Sequence, residues 1–492
     1  MYVKINQTIE YILEKITYRN KNRIFLGSRI EDLVNKKMKK IFLTLNIIFY
    51  VIHSKAQNDK ENVNLLGLFN DTSVVAETQY GIRYQACWGW TDSSNGKEYG
   101  IIGSTAGTYI IEVTDPTNPV QRDYIPHRQE DYIWHEYKTY KNYLYIISDD
   151  GGPNSFQIAD LSYLPDSAHV VYDSTDIFLH AHTLFIEGDK LFVGIASSLR
   201  DYSSMNVYSL SNPMHPTLLR RLDQDYPFIN SVHDMFVSND TVFASCGYQG
   251  LYIFKYDELA NQFLLLGSLE DGFNIYNHSS VLSQDHKTLY MCEEVPDGRP
   301  VKIVDVSDIG TPVLDNTFYS NVGATPHNPF IKNNMLIVAY YQDGVYLYDI
   351  SNPKIPVRLG YFDTYPDNTP GSYLQPAYSG SWSAYADLPS GILLAGDTKY
   401  GLFCLDISLI NKIKETSKNQ LEIFPIPASK YLKVNNVNKS TVQLLDLSGR
   451  EYWMSKNISG NLQIDISGYK HGVYVLKVSG KDRMISKKVV IE

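Results

Sequence analysis

The chain has 492 residues, enough for two or three domains, and 43% of them are hydrophobic. Its net charge of −10 is uneven, because residues 57–419 hold 22 basic and 44 acidic residues and carry −22. Since an acidic body of this size repels phosphate, the composition excludes nucleic acid as a partner and suits a secreted protein or one that meets cations.

The first predicted element is a secretory signal peptide at 38–56. Lys39 and Lys40 form its basic start, residues 41–52 form its apolar core, and Ala56 ends a cleavage site. A core of 12 residues is typical of a signal peptide and too short to cross a bilayer as a stable helix. We expect translation to start at Met38 and residues 1–37 to be an upstream extension produced by the choice of start site. The alternative is a cytosolic protein with an N-terminal helix at 41–52.

The region 57–410 repeats one pattern seven times. An alternating apolar run, usually followed by a turn of Asp, Ser, Asn or Pro, begins at positions 107, 154, 204, 250, 300, 344 and 401. Alternation places side chains on the two faces of a strand, and these polar residues favour turns. A period of roughly 48 residues indicates a repeat architecture rather than unrelated domains.

A second motif precedes most copies and reads as strand, tight polar turn, strand. It begins at His135, His182, His233, His278 and His327. The first and last units have Trp88 and Trp382 at this place. Four antiparallel strands in each of seven units predict an all-β fold, a seven-bladed β-propeller.

The last unit lacks its fourth strand. An open ring would expose a sheet edge, so the missing strand must come from another part of the chain. Residues 62–71 resemble the fourth strand at 356–363 and precede the first unit. We therefore expect residues 63–70 to pair with 401–407 and close blade seven.

The repeat resembles a known family. The segment VKIVDVSDIGTP at 301–312 is similar to the LVIVD repeat, and the region 63–410 resembles propellers of the choice-of-anchor B family. Units two to four depart from the motif in their third strand. The resemblance implies a propeller at the cell surface, and it brings no established reaction.

The tail differs in pattern from the repeats. Residues 411–420 are polar and Lys-rich, which predicts a linker, and 421–492 predict a small antiparallel β-sandwich. The segments at 424–428, 446–450 and 472–478 resemble the C-terminal (Por) sorting domain of type IX secretion cargo in Bacteroidota, although Ile426 replaces its usual Asn. The resemblance implies export to the exterior of the outer membrane, with the type IX machinery as the partner of the tail.

Candidate binding residues come from the His-led strands, because the innermost strand of each propeller blade borders the central channel. The channel-ring candidates are His135, His182, His233, His278, His327, Glu136 and Asp234. Converging imidazoles and carboxylates could bind a transition metal or polarise a substrate. Repetition favours the alternative, in which each histidine hydrogen-bonds the next blade as part of the repeat.

Two acidic loops supply weaker candidates for calcium. They contain Asp149, Asp150, Asp363 and Asp367, which crowd carboxylates as calcium sites do but lack EF-hand spacing. Solvated loops without metal are the favoured interpretation. The sequence contains no GxSxG motif, P-loop or dinucleotide fingerprint, so it identifies no catalytic residue.

Two functions remain open. The symmetry of the repeats favours a secreted cell-surface binding module that needs no cofactor and takes a protein or glycan ligand. The alternative is a metal- or His-dependent hydrolase or lyase with its site at the channel mouth, using calcium or a transition metal. Because propellers host both kinds of function, the fold alone does not decide between them.

Overall fold

The computed structural model describes residues 58–129, 131–150, 156–198, 201–270, 272, 274–367, 373, 378–410, 422–480 and 484–492. The predicted extension 1–37, signal peptide 38–56 and linker 411–420 lie outside these residues. Nearly all regular structure in the described ranges is strand, which confirms the all-β class. These ranges contain no helix with the length and apolar character needed to cross a membrane.

Residues 58–410 form seven antiparallel sheets, here called blades one to seven in chain order. Each has four strands, a to d, hydrogen-bonded in that order. Strands a are Tyr84–Thr91, His135–Tyr140, Thr183–Glu187, Asp234–Ser238, Tyr276–Leu282, Pro326–Lys332 and Ser381–Tyr385. Strands b are Glu98–Ser104, Tyr143–Ser148, Lys190–Ser197, Thr241–Ser245, Thr288–Val295, Met335–Tyr340 and Leu393–Asp397.

The outer strands follow the same order of blades. Strands c are Gly107–Glu112, Phe156–Asp160, Tyr202–Ser209, Leu251–Asp257, Val301–Asp305, Gly344–Asp349 and Gly401–Asp406. Strands d are Val120–Pro126, His169–Ser174, Thr217–Arg221, Gln262–Leu269, Val313–Phe318, Val357–Phe362 and Asn64–Phe69. The short strand Lys60–Glu61 adds a fifth strand to blade six, and two 3-10 turns occur at Leu222–Gln224 and Tyr341–Asp343.

The blades form a closed ring. Strands a of successive blades contact one another, and strand a of blade seven contacts strand a of blade one. This arrangement is a β-propeller with the strands a around a central channel. The N-terminal strand Asn64–Phe69 pairs with Gly401–Asp406 and is strand d of blade seven.

The repeated polar segment forms the turn between strands c and d. Its aspartate carboxylate accepts the backbone N–H two residues later, at 2.9 Å from Asp305 to Ser307 and 3.0 Å from Asp349 to Ser351. This local hydrogen bond fixes the turn with little help from distant residues. The c–d pairing of each blade also contains a register shift, so the turn and the bulge recur together.

The cores lie between neighbouring blades. One cluster joins Phe192 and Val207 of blade three to Val242 and Phe254 of blade four, and none of these side chains is exposed to solvent. The four cysteines are buried free thiols. Sheet faces packed in this way leave the edges of the strands a to border the channel.

Residues 422–492 form a C-terminal β-domain. Its strands are Glu422–Phe424, Tyr431–Asp446, Glu451–Asp465, Gly472–Ser479 and Met484–Ile491. The long strand Tyr431–Asp446 pairs with three of the others, and its register shifts against Glu451–Asp465 at several points. The result is one continuous antiparallel sheet around a small core that includes Leu432, Leu444 and Val489.

Candidate functional site

Four of the five predicted histidines form an arc in the channel. The ring centroids are 4.0 Å apart for His182 and His233, 4.4 Å for His233 and His278, and 4.2 Å for His278 and His327. His327 then contacts Trp382 of blade seven at 4.7 Å. The tryptophan therefore occupies the position in the ring that the repeat gives to histidine elsewhere.

His135 takes a different arrangement. Its ring stacks on that of His127 at 3.8 Å, with an angle of 13° between the planes. Burial lowers the pKa of His127 to about 3 and holds the pKa of His135 well below its usual range. The structure thus places His135 with a neighbour that the repeat pattern did not identify.

Three of the histidines are fixed by the next blade. Their Nδ1 atoms lie 3.0 Å from the carbonyl of His278 for His233, 3.1 Å from that of His327 for His278, and close to that of Trp382 for His327. Because a carbonyl only accepts hydrogen bonds, each Nδ1 carries the hydrogen, and each neutral ring keeps its lone pair on Nε2. These three histidines therefore use Nδ1 to join neighbouring blades, as the repeat-architecture interpretation expects. Their Nε2 atoms stay available for a ligand.

His182 is held by a carboxylate instead. Its Nδ1 lies 2.7 Å from Oδ2 of Asp149, whose Oδ1 lies 3.5 Å from Nδ1 of His180. Burial alone would lower the pKa of His182, but the hydrogen bond and charge of Asp149 outweigh it and raise this pKa. The arc therefore contains one histidine biased toward its charged form beside three neutral ones.

Glu294 is a second departure from the repeat symmetry of the ring, and the sequence analysis did not identify it. Glu294, on strand b of blade five, is 8% exposed. Its Oε2 lies 3.9 Å from Nε2 of His278, and its Oε1 lies 4.0 Å from Nε2 of His327. The Tyr341 hydroxyl donates to Oε1 at 2.8 Å. The feature of the sequence that could have identified it is the pair of consecutive glutamates at 293–294, near the end of an otherwise largely apolar strand.

A cavity of about 280 Å³ lies in the channel and is lined mainly by residues of the strands a and the residues just before them. It contains Glu136 and Asp234, both predicted from the sequence, and Lys138, which was not. Trp382 Nε1 donates to Glu136 at 3.3 Å, and the Thr183 hydroxyl donates to Asp234 at 2.9 Å. Burial raises the pKa of both carboxyls, and the charge of Lys138 opposes this shift.

The aspartates predicted as calcium ligands lie in two separate connections. Asp150 accepts the N–H groups of Ile133 and Trp134, each at 2.8 Å, while Asp149 binds His182. Asp367 pairs with Lys399. Residues 151–155 and 368, which complete the two loops, lie outside the described residues. The calcium assignment therefore stays a prediction.

Asp363 has an acidic environment that predicts a pH effect. Its burial, followed by the charges of Asp343, Asp397 and Asp59, raises its pKa to about 7, against an opposing N–H from Tyr365. The folded protein therefore holds a proton here that the unfolded chain releases above about pH 4. Its contribution to stability is full below that pH and is lost as the pH rises through about 7.

We expect Asp363→Asn to stabilise the fold at pH 8 by about 1–2 kcal/mol, allowing for partial exposure, and to change little at pH 4.5. Thermal unfolding of both proteins at the two pH values measures this. The control is Asp367→Asn, which loses the Lys399 pair and should be slightly destabilising at pH 8. A loss of stability from Asp363→Asn at pH 8, appearing only with millimolar calcium, would instead support a calcium site.

The tail matches a known family. Residues 422–492 fit the family model described as a secretion system C-terminal sorting domain. The C-terminal β-domain is a secretion sorting domain. A sorting domain of this kind indicates export by the type IX secretion system and a location at the cell surface. It also implies contact between this domain and the secretion machinery.

Solved structures with similar folds are distant in sequence. PorZ, an essential surface component of the type IX secretion system of Porphyromonas gingivalis, is 12% identical, with a TM-score of 0.36 over 80% of this chain and 64% of PorZ. This chain thus spans less than two thirds of PorZ. A candidate 6-phosphogluconolactonase from Bacteroides fragilis is 10% identical, with a TM-score of 0.45 over 76% of this chain and all of that one.

A computationally designed protein, Ika8, is 14% identical, with a TM-score of 0.36 over 72% of this chain and 95% of its own. No curated protein matches the chain. None of these similarities assigns an activity to the propeller.

Proposed function

We propose that the protein is a cell-surface binding module that takes the end of a glycan chain in the cavity of the propeller channel. The observation that carries this proposal is the lining of the cavity, where the indoles of Trp88, Trp134 and Trp382 stand with Glu136 and Asp234. Ligand sites combine apolar and aromatic walls with a few polar groups that fix orientation. This lining has that composition.

The size and charge of the cavity restrict which ligands it can hold. A volume of about 280 Å³ is just below the usual range for ligand sites, about 300–1,000 Å³. It suits one sugar residue at the end of a chain better than an extended molecule. Lys138, whose Nζ lies 4.2 Å from the centre of the Trp88 ring, adds a donor to the two carboxylate acceptors. Aromatic faces beside hydrogen-bonding groups suit the apolar faces and hydroxyls of a sugar.

The organisation of the chain supports a surface role. We propose that the signal peptide at 38–56 starts export, that 411–420 links propeller and sorting domain, and that the propeller is of the LVIVD, choice-of-anchor B type. The sorting domain at the other end supports the export route. A surface protein with a narrow cavity of aromatic walls and a few polar groups is suited to capture rather than to intracellular metabolism.

The second candidate function is a metal- or His-dependent hydrolase or lyase. The asymmetric position of Glu294 between His278 and His327 favours it over a purely structural ring. Binding stays the first candidate because three histidines use Nδ1 to join blades, as repeat architecture requires.

Saccharide titration followed by tryptophan fluorescence tests the proposal on the purified full chain, because three of its five tryptophans line the cavity. We expect a saturable change with one class among neutral, amino and acidic mono- and disaccharides. Asp234→Asn and Glu136→Gln should weaken binding by about 10- to 100-fold, since hydrogen bonds to charged groups contribute about 1.5–3 kcal/mol.

Tyr248→Ala is the matched control, because this residue is 61% exposed on the loop between strands b and c of blade four. Its affinity for the saccharide should be unchanged. If no saccharide binds, or if Tyr248→Ala lowers binding while the cavity variants do not, the glycan proposal is wrong. The second result would identify the exposed loops as a surface for a protein partner.

A further inference from the structure

We infer that His233, His278 and Glu294 bind a divalent first-row transition metal ion in the channel, with His327 next to the open coordination position. Their ligand atoms lie within 4.8 Å of one another. Nitrogen and carboxylate donors in this ratio are typical of zinc, iron and manganese centres with an exchangeable site. This metal site goes beyond the proposed glycan binding and does not depend on it.

Hydrogen bonds to the next blade already hold two of the proposed metal ligands in place. A metal-bound histidine commonly donates its second N–H to a carbonyl or carboxylate, which fixes the ring and directs the other nitrogen at the ion. His233 and His278 already donate Nδ1–H to the carbonyls of the next blade.

The spacing of His278 and Glu294 allows both to bind one ion after a small contraction. Nε2 of His278 and Oε2 of Glu294 are 3.9 Å apart. Two ligands bound to one zinc ion at about 2.1 Å stand about 3.4 Å apart in tetrahedral geometry. The pair therefore has to close by only about 0.5 Å, which side-chain rotation can supply.

Tyr341 orients the carboxylate. Its hydroxyl donates to Oε1 of Glu294 at 2.8 Å, which leaves Oε2 directed at His278. Tyr341 is therefore a positioning residue of the site and not a ligand.

The position of Glu294 distinguishes this site from the repeated pattern of the blades. Asp149 and Glu294 occupy corresponding positions in their blades, five residues after Leu144 and Leu289. Asp149, however, bonds Nδ1 of His182 and occupies the nitrogen that the repeat uses for structure. Glu294 alone of the two faces Nε2 atoms, and it faces two of them. Repeat architecture does not require a carboxylate in that position.

Metal analysis of the secreted full chain, purified without chelators, tests the inference. Mass spectrometry of the element content should find about one zinc or related ion per chain, and the stripped protein should bind cobalt(II) with the visible absorption of a nitrogen–oxygen site. Glu294→Gln and His278→Gln should weaken cobalt binding by at least 10-fold, and Tyr341→Phe by about 10- to 100-fold. Glu258→Gln, which changes an exposed carboxylate on the c–d turn of blade four, should keep it.

Thermal unfolding of each variant checks that the fold is retained, and Tyr341→Phe keeps the test valid if a ligand variant does not fold. Equal cobalt affinity in the wild type, Glu294→Gln and His278→Gln, or no binding by the folded wild type, would overturn the inference. Saccharide titration of the metal-free protein separates the two proposals, since glycan binding can persist or fail independently of cobalt binding.

Discussion

A chain that starts at residue 72 will fail to give a soluble monomer, whereas a chain that starts at residue 58 will fold. The difference is the strand Asn64–Phe69, which is strand d of blade seven. Without it, Gly401–Asp406 becomes the edge of a three-stranded blade. An exposed, apolar edge of this kind pairs with other chains and causes aggregation.

The apolar contacts of the closing segment add to this effect. Val63 is 1% exposed, and Leu66 and Phe69 pack against the core between blades seven and one. A fully buried side chain of this size contributes about 1.5–3 kcal/mol, so one buried and two partly buried chains contribute about 3–6 kcal/mol. That is comparable with the whole stability of a typical domain, about 5–15 kcal/mol.

Expression of both chains without the leader, followed by size-exclusion chromatography and thermal unfolding, measures this prediction. A point variant gives a finer test: a Cβ on Gly67 would lie 2.3 Å from the carbonyl oxygen of Pro116 in blade one, so Gly67→Val should loosen the closure. Gly468→Val, which has open space at its Cβ, is the control. Equal solubility and melting of the two truncated chains would contradict the role of the strand.

Removal of residues 422–492 will abolish display at the cell surface while the propeller still folds. These residues form the sorting domain, and its core of Leu432, Leu444 and Val489 is built from its own strands. Export therefore depends on a unit that contributes none of the strands of the seven blades. We expect surface signal in the native host to fall to background.

Protease accessibility of intact cells measures surface display, and a reporter fused to residues 411–492 is the complementary test. The fused reporter should reach the surface, and the same reporter without the tail should not. Unchanged display of the truncated protein, or failure of the fused reporter alongside normal display of the wild type, would show that another segment directs export.

The strands of the propeller were predictable because their signals are local. Alternation within Gly344–Asp349 and the Asp349 turn lie within a few residues, and the same pattern recurs along the chain. The closing strand was also predictable, because the seventh unit lacks a strand d and another segment of the chain has to supply it. Sequence reasoning placed the histidines in the channel for the same reason, as they share one register position.

The chemistry of the site was harder to predict, because it depends on contacts between blades. Glu294 lies 3.9 Å from His278 in its own blade but 4.0 Å from His327 in the next one. Its hydrogen-bond donor, Tyr341, is 47 residues away in the chain. His135 turns to His127 because of a pairing that no repeat position encodes. Symmetry predicted where the histidines lie, and the departures from symmetry had to come from the structure.

In the proposed metal site, Glu294 turns a structural histidine ring into a binding centre. The most direct measurement is the anomalous diffraction of crystals of the mature protein grown with zinc, recorded on both sides of the zinc absorption edge. We expect one strong peak within bonding distance of Nε2 of His233, Nε2 of His278 and Oε2 of Glu294. A channel without such a peak, or zinc held only at surface carboxylates, would contradict it.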